Sequence, residues 1–156
     1  PTTKQCIKQI HNIDNGYVLD IGAGSGILSI VSSLYGAIKC IAIEDDELAI
    51  NNAIYNIKAN NMEDKIELIN INFDHYNTSN LFDTVLANVD HTFLLNNLDN
   101  MKKFLKPGGN LIISGFQKNM QNNILKLYGK FFEIIDITDE NEWICFRMLK
   151  KWIIMK

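Results

Sequence analysis

Val18-Leu-Asp-Ile-Gly-Ala-Gly-Ser-Gly26 is the stretch on which the fold turns. A β-rich run, Tyr17-Val-Leu-Asp-Ile21, leads into glycines at alternate positions 22, 24 and 26. Ile27, Leu28, Ile30, Val31 and Leu34 then follow at the spacing of a buried helix, which Gly36 stops. Strand, tight loop and helix in that order predict a β-α unit with a ligand-sized turn at its top. A tight strand-to-helix turn with no ligand is the plainer reading of the same glycines.

Working outward, the pattern recurs. Residues 40–43 form a second strand ending at Glu44, and a helix over about 46–60 places Leu48, Ala49, Ala53, Ile54 and Ile57 on one face. Strands are predicted at 66–71 and 82–87, a helix at 93–105, a turn at Pro107-Gly108-Gly109 and a fifth strand at 111–114. A helix over 120–128 precedes two strands, 131–137 and 143–148, with no helix between them. Upstream, Cys6, Ile7, Ile10 and Ile13 recur at helical spacing, with Thr2 or Thr3 placed to cap the start. Strands alternating with helices require right-handed crossovers and a mostly parallel sheet, and a directly joined final pair must be antiparallel. The expected fold is a doubly wound, mostly parallel, Rossmann-like α/β sheet with an antiparallel C-terminal edge.

At 156 residues the chain is one domain long, and 47% hydrophobic with 21% charged residues is the balance of an ordinary globular protein. No apolar run is long enough to span a bilayer: residues 27–34 are broken by serines, and the stretch from Trp152 to Met155 is too short. Fifteen Lys and Arg against eighteen Asp and Glu leave a charge of -3, so no overall basic field exists to hold nucleic acid. Cys6, Cys40 and Cys145 are odd in number and lack a CxxC pair, which favours a reducing compartment and a cytoplasmic location. The first residue is Pro1, with no signal peptide after it, which predicts that the chain begins inside a longer natural sequence.

The glycine loop carries the chemistry. It lets the backbone approach a ligand, and the following helix offers unpaired N–H groups to a carboxylate or phosphate. A dinucleotide fingerprint needs a further glycine at position 27, where Ile27 stands, so NAD and FAD are disfavoured.

These residues resemble the first motif of class I S-adenosylmethionine-dependent methyltransferases. Pro1-Thr-Thr3, residues 19–28, Ala87-Asn-Val89, Leu105-Lys-Pro-Gly-Gly109, Ser114-Gly115 and Glu142-Trp143 together resemble the catalytic domain of ribosomal protein L11 methyltransferases (PrmA-type) over nearly the whole chain. The resemblance implies S-adenosylmethionine as cofactor and a large-subunit ribosomal protein as substrate, methylated on lysine or N-terminal amines. It implies that Gly22, Gly24 and Gly26 cradle the cofactor and that Glu44 holds both ribose hydroxyls, a carboxylate offering two acceptors to two donors. Thr2 and Thr3 would reach the methionine end, Asp20 its amino group, Asn72 and Phe73 the adenine, and Asn88 would line the pocket of methyl transfer. Residues 1–156 then form one catalytic domain. The family's Gly-Thr-Gly stretch before the threonines and its separate N-terminal substrate-recognition domain have no counterpart in this sequence.

Alternatives stay open at several positions. Glu44 also belongs to an acidic group at a helix start with Asp45, Asp46 and Glu47, and Asn88 also suits a strand-end cap. Asn88-Val-Asp-His91 lacks the Pro-Pro-Tyr of enzymes that methylate planar nitrogens. It fits an aliphatic amine, a good nucleophile once deprotonated, for which the enzyme's task is dehydration and alignment. No metal is expected: His11, His75 and His91 lack ligand spacing, and Asp74 and Asp90 have no supporting partners. Asp90 and His91 read as pocket-rim residues and Trp143 as core or pocket wall. Lys150, Lys151 and Lys156 around Trp152 read as a solvated tail rather than an RNA contact. A small-molecule or RNA methyltransferase of the same fold, or an inactive cofactor-binding module, are the competing functions.

Overall fold

The computed structural model describes residues 1–152. Residues 153–155 of the apolar tail and Lys156 lie outside the described residues. The elements run α1 (Thr2–His11), β1 (Tyr17–Ile21), α2 (Ile27–Leu34), β2 (Lys39–Glu44), α3 (Glu47–Ala59), β3 (Ile66–Asn70) and β4 (Phe82–Asn88). They continue as α4 (His91–Asn96), α5 (Leu98–Phe104), β5 (Leu105–Gln117), α6 (Gln121–Tyr128), β6 (Phe132–Glu140) and β7 (Trp143–Lys150), with short 3-10 turns at Phe73–His75 and Lys118–Met120.

The seven strands form one sheet in the order β3-β2-β1-β4-β5-β7-β6. The first five are mutually parallel, and β7 pairs antiparallel with both β5 and β6. The sheet is the expected doubly wound one with an antiparallel edge. Side-chain alternation along the buried strands feeds two cores. Val18, Cys40, Ala42, Leu86 and Ile112 face α1, α2 and α3, where Cys6, Ile10, Leu28, Ile30, Ala53 and Ile57 pack. Leu19, Ile21, Val85, Ala87 and Ile113 face Leu94, Leu98, Met101, Phe104, Ile124 and Tyr128 of α4, α5 and α6.

Three local expectations are corrected. The single helix over 93–105 is two helices. Asn97 ends α4 and starts α5 with a φ of -112 and ψ of 13, outside the helical region, while its backbone N–H and its side-chain amide both donate to the Phe93 carbonyl. Pro107-Gly108-Gly109 is not a turn before a strand but a bulge inside β5: the register steps from Phe82↔Leu105 to Thr84↔Asn110, so β5 carries extra residues over this interval. Neither Thr2 nor Thr3 caps α1. Pro1 occupies the cap position without a side-chain bond, and both threonines are helical.

Candidate functional site

The order reverses between β1 and β4, the point at which open α/β sheets bind ligands beyond the strand carboxyl ends. Beyond β1 the chain turns back through the glycine loop. Gly24 has a φ of +57, and nothing lies within 4 Å of the position a Cβ would take, so the loop backbone faces open space. Gly26 is the N-cap of α2, also with positive φ. Glu44, at the end of β2, braces this loop: Oε2 accepts from the Gly24 N–H at 2.8 Å, while Oε1 accepts from the N–H groups of Asp45 and Asp46 at 2.9 and 3.0 Å. A carboxylate has about four lone-pair positions, so these three bonds leave capacity for a further donor. Asp46 instead caps α3, accepting from the N–H groups of Leu48 and Ala49.

Between these strand ends lies a cleft of 340 Å³ lined by Gly22, Glu44, Asp45, Asn72, Phe73 and Val89, among others. Asn72 follows β3. Its amide donates to Asp45 Oδ2 at 2.7 Å and its carbonyl accepts from the Asp74 N–H. Phe73 is buried, its ring 5.6 Å from that of Phe93, and forms an apolar wall. The cleft continues into one of 390 Å³ with Thr2, Asn88, Val89, Asp90, Gly115 and Trp143 on its surface. Asn88, the last residue of β4, donates to Thr3 Oγ1 at 3.4 Å and so links the carboxyl end of this central strand to α1. Gly115 is required here: a Cβ would sit 2.0 Å from the Val89 carbonyl oxygen, and its φ is +97.

The structure thus brings Gly22, Glu44, Asn72 and Phe73 to one cleft and Thr2 and Asn88 to its extension, with Thr3 and Gly24 alongside. Asp20 stands apart. It is 1% exposed, faces the α1-α2-α3 layer and accepts from Ser29 Oγ at 2.7 Å. Burial pushes its carboxyl up to about 6, against the stabilising bonds from Ser29. Val89, Gly115 and Trp143 also line the site. The signals for them were local: Val89 follows the strand-end Asn88, and Gly115 ends the Ser114-Gly115 pair. Among the described residues no group of three or more His, Cys, Asp or Glu is placed to hold a metal. No helix there is long and apolar enough to cross a membrane. Cys6 and Cys145 are buried with sulfurs 3.9 Å apart, and their mutual hydrogen bond, together with burial, pushes the Cys6 thiol up.

Comparison with known proteins places this arrangement. The model of the ribosomal protein L11 methyltransferase (PrmA) family matches residues 1–151. The chain belongs to that family. Among PrmA relatives, the ribosomal protein L11 methyltransferase of Staphylococcus haemolyticus is 36% identical over 149 residues, covering 93% of this chain and 47% of the relative. That of Prochlorococcus marinus is 32% identical over 153 residues, covering 93% and 51%. The chain spans about half the length of the curated relatives it matches. The structure of ribosomal protein L11 methylase from Lactobacillus delbrueckii subsp. bulgaricus superposes with a TM-score of 0.87 at 23% identity, covering 96% of this chain and 79% of that one. The N-methyltransferase NodS from Bradyrhizobium japonicum, in complex with S-adenosyl-L-homocysteine, superposes at 0.76 with 17% identity, covering 96% and 88%. Both likenesses show the fold described above.

Proposed function

We propose that residues 1–156 form one catalytic domain that binds S-adenosylmethionine and transfers its methyl group to lysine or N-terminal amines of ribosomal protein L11, in the cytoplasm. The observation that carries this reading is the Gly24–Glu44 bond at the head of the cleft. One carboxylate both fixes the open glycine loop and keeps acceptor capacity toward the space beside it. The residues fit the cofactor in kind: an acceptor for ribose hydroxyls in Glu44, an apolar wall for a base in Phe73, and a polar neighbour to that wall in Asn72.

S-adenosylmethionine supplies an activated methyl group on a sulfonium, so the protein has no covalent intermediate to form. The chain's own residues have the task of positioning. Asn88 and Thr3, joined across the second cleft, would orient groups at the methionine end and at the acceptor mouth. Trp143 and Val89 would narrow the channel and exclude water from the acceptor nitrogen. Calorimetry with S-adenosylmethionine, S-adenosylhomocysteine and NAD tests the binding half. Transfer of labelled methyl to unmodified ribosomal protein L11, read by mass spectrometry, tests the rest. Binding of the first two ligands and not the third is expected. Binding of NAD alone would overturn the reading, and labelling of RNA or a small molecule in place of the protein would reassign the acceptor.

A further inference from the structure

Beyond the cleft that Asn88 lines, the surface opens into a third hollow of 370 Å³, in which Met120 and Trp143 form the apolar side over the buried Phe116, Gln117 and Asn119 form the polar side, and His91 and Asp90 stand at the edge. Asp90 is the one residue common to all three hollows. Its side chain caps α4, and the cap uses a single oxygen: Oδ1 accepts from the Thr92 and Phe93 N–H groups at 2.9 and 3.1 Å. Among the described residues Oδ2 has no hydrogen-bond partner, and Asp90 joins no ion pair. The backbone therefore fixes the carboxylate in place by one oxygen and leaves the other free where the hollows meet.

We propose that Asp90 is a positioning and specificity residue, holding the ammonium form of an aliphatic amine acceptor through Oδ2 while the alkyl chain lies against Phe116, Met120 and Trp143. The assignment rests on the methyl-transfer reading above for its purpose, but not for its chemistry. A single anionic oxygen at the end of an apolar trough selects a cation on an alkyl stem over a neutral isostere of the same shape. The ammonium loses its proton to solvent in this open hollow, before the nitrogen passes Trp143 and Val89, and so reaches the Asn88 mouth neutral. A planar, neutral acceptor would gain nothing from Asp90, so the residue separates acceptor classes as well as orienting one.

The probe is n-butylammonium, with n-butanol as its uncharged counterpart, titrated into the protein by NMR with and without S-adenosylhomocysteine. Butylammonium is expected to bind about five-fold more tightly than butanol, the scale of a partly exposed ion pair, and to shift resonances of residues 90, 115 and 143. Asp90→Asn keeps an oxygen to cap α4 and so preserves the fold; it should bring the two probes within two-fold of each other. Asp90→Glu should restore part of the preference, and Asp14→Asn, at the opposite end of the sheet, should leave it intact. Equal affinities for the two probes in the unaltered protein, or a preference that survives Asp90→Asn, would overturn the assignment. Failure of S-adenosylhomocysteine to bind would overturn the methyl-transfer reading instead, because the titration without it still reads Asp90.

Discussion

The carboxylate of Glu44 accepts the Gly24 N–H at 2.8 Å, so the side chain that ends β2 holds the loop that ends β1. Removing it takes away the brace of the loop and, on the proposed reading, an acceptor for the cofactor's ribose hydroxyls. Glu44→Ala should weaken S-adenosylhomocysteine binding by about 1.5 to 3 kcal/mol, the range for hydrogen bonds to a charged group. Asp46→Ala should cost about 1 kcal/mol of stability through the lost α3 cap and leave affinity nearly unchanged. Calorimetry and melting curves on the two variants separate these effects. Equal affinity losses would reduce Glu44 to one member of an acidic cluster.

Asn88 connects β4 to Thr3 of α1 across the second cleft. Asn88→Ala should slow methyl transfer about ten-fold at saturating cofactor, about 1.4 kcal/mol of transition-state positioning, while S-adenosylhomocysteine affinity changes by less than about three-fold. Single-turnover transfer of labelled methyl to ribosomal protein L11 provides the rate. An unchanged rate would leave Asn88 as a strand-end cap.

Asp20 makes stability depend on pH. Burial lifts its carboxyl from the ordinary value of 3.8 to about 6 in the folded protein, so the unfolded chain gives up this proton first. The penalty is absent below about pH 4, grows as pH rises from about 4 to 6 and is complete above, reaching about 3 kcal/mol. Asp20→Asn, which keeps an acceptor for Ser29, should therefore gain stability relative to the unaltered protein between pH 4.5 and pH 7. Urea unfolding at the two values measures the difference. A constant difference would show that Asp20 ionises normally.

Gly115 and Gly24 both have positive φ but differ in what surrounds them. A methyl at Gly115 would meet the Val89 carbonyl oxygen at 2.0 Å, so Gly115→Ala should destabilise the fold by more than about 3 kcal/mol as β4 or β5 shifts. Gly24→Ala meets no neighbour and should cost only the conformational strain of about 1 to 2 kcal/mol. Its methyl would instead project from the loop toward the open space and reduce cofactor affinity. Melting curves with and without S-adenosylhomocysteine read both terms.

The β1-loop-α2 unit, the β2-α3 unit and the antiparallel β6-β7 pair were legible in the sequence as elements ending in glycine or a cap, but the inward face of α3 was not: Leu48 and Ile54 are exposed, and Ile50, Ala53 and Ile57 are the residues it buries. The break at Asn97 was not, since Phe93, Leu94, Leu98, Met101 and Phe104 keep helical spacing across it. The break lies in the backbone of Asn97, whose φ of -112 and ψ of 13 depart from helical values although its N–H still reaches the Phe93 carbonyl. The length of β5 was hidden for the opposite reason. Pro107, Gly108 and Gly109 are the residues of a turn, and only pairing with β4 and β7 carries the strand past them. At the site, the family resemblance named Glu44, Asn72 and Phe73, which line one cleft, and Thr2 and Asn88, which line the next. Asp90 was read only as a rim residue, since its importance comes from three hollows meeting at one side chain, a property of the assembled surface.

The sheet order has a consequence for biosynthesis. β7 is translated after both strands it lies between, so β5 keeps an unpaired edge and β6 has no partner until residues 143–150 have emerged. The same strand receives α1, whose Gln5 donates to the Trp143 carbonyl at 2.8 Å, and α1 carries the threonines beside Asn88. α1 packs on α2 and β5 as well, so β7 completes its docking rather than beginning it, and a nascent chain stalled short of β7 would have the glycine loop but lack the Trp143 wall of the second cleft. Closure of the second cleft would then follow the pairing of β7, in a single step.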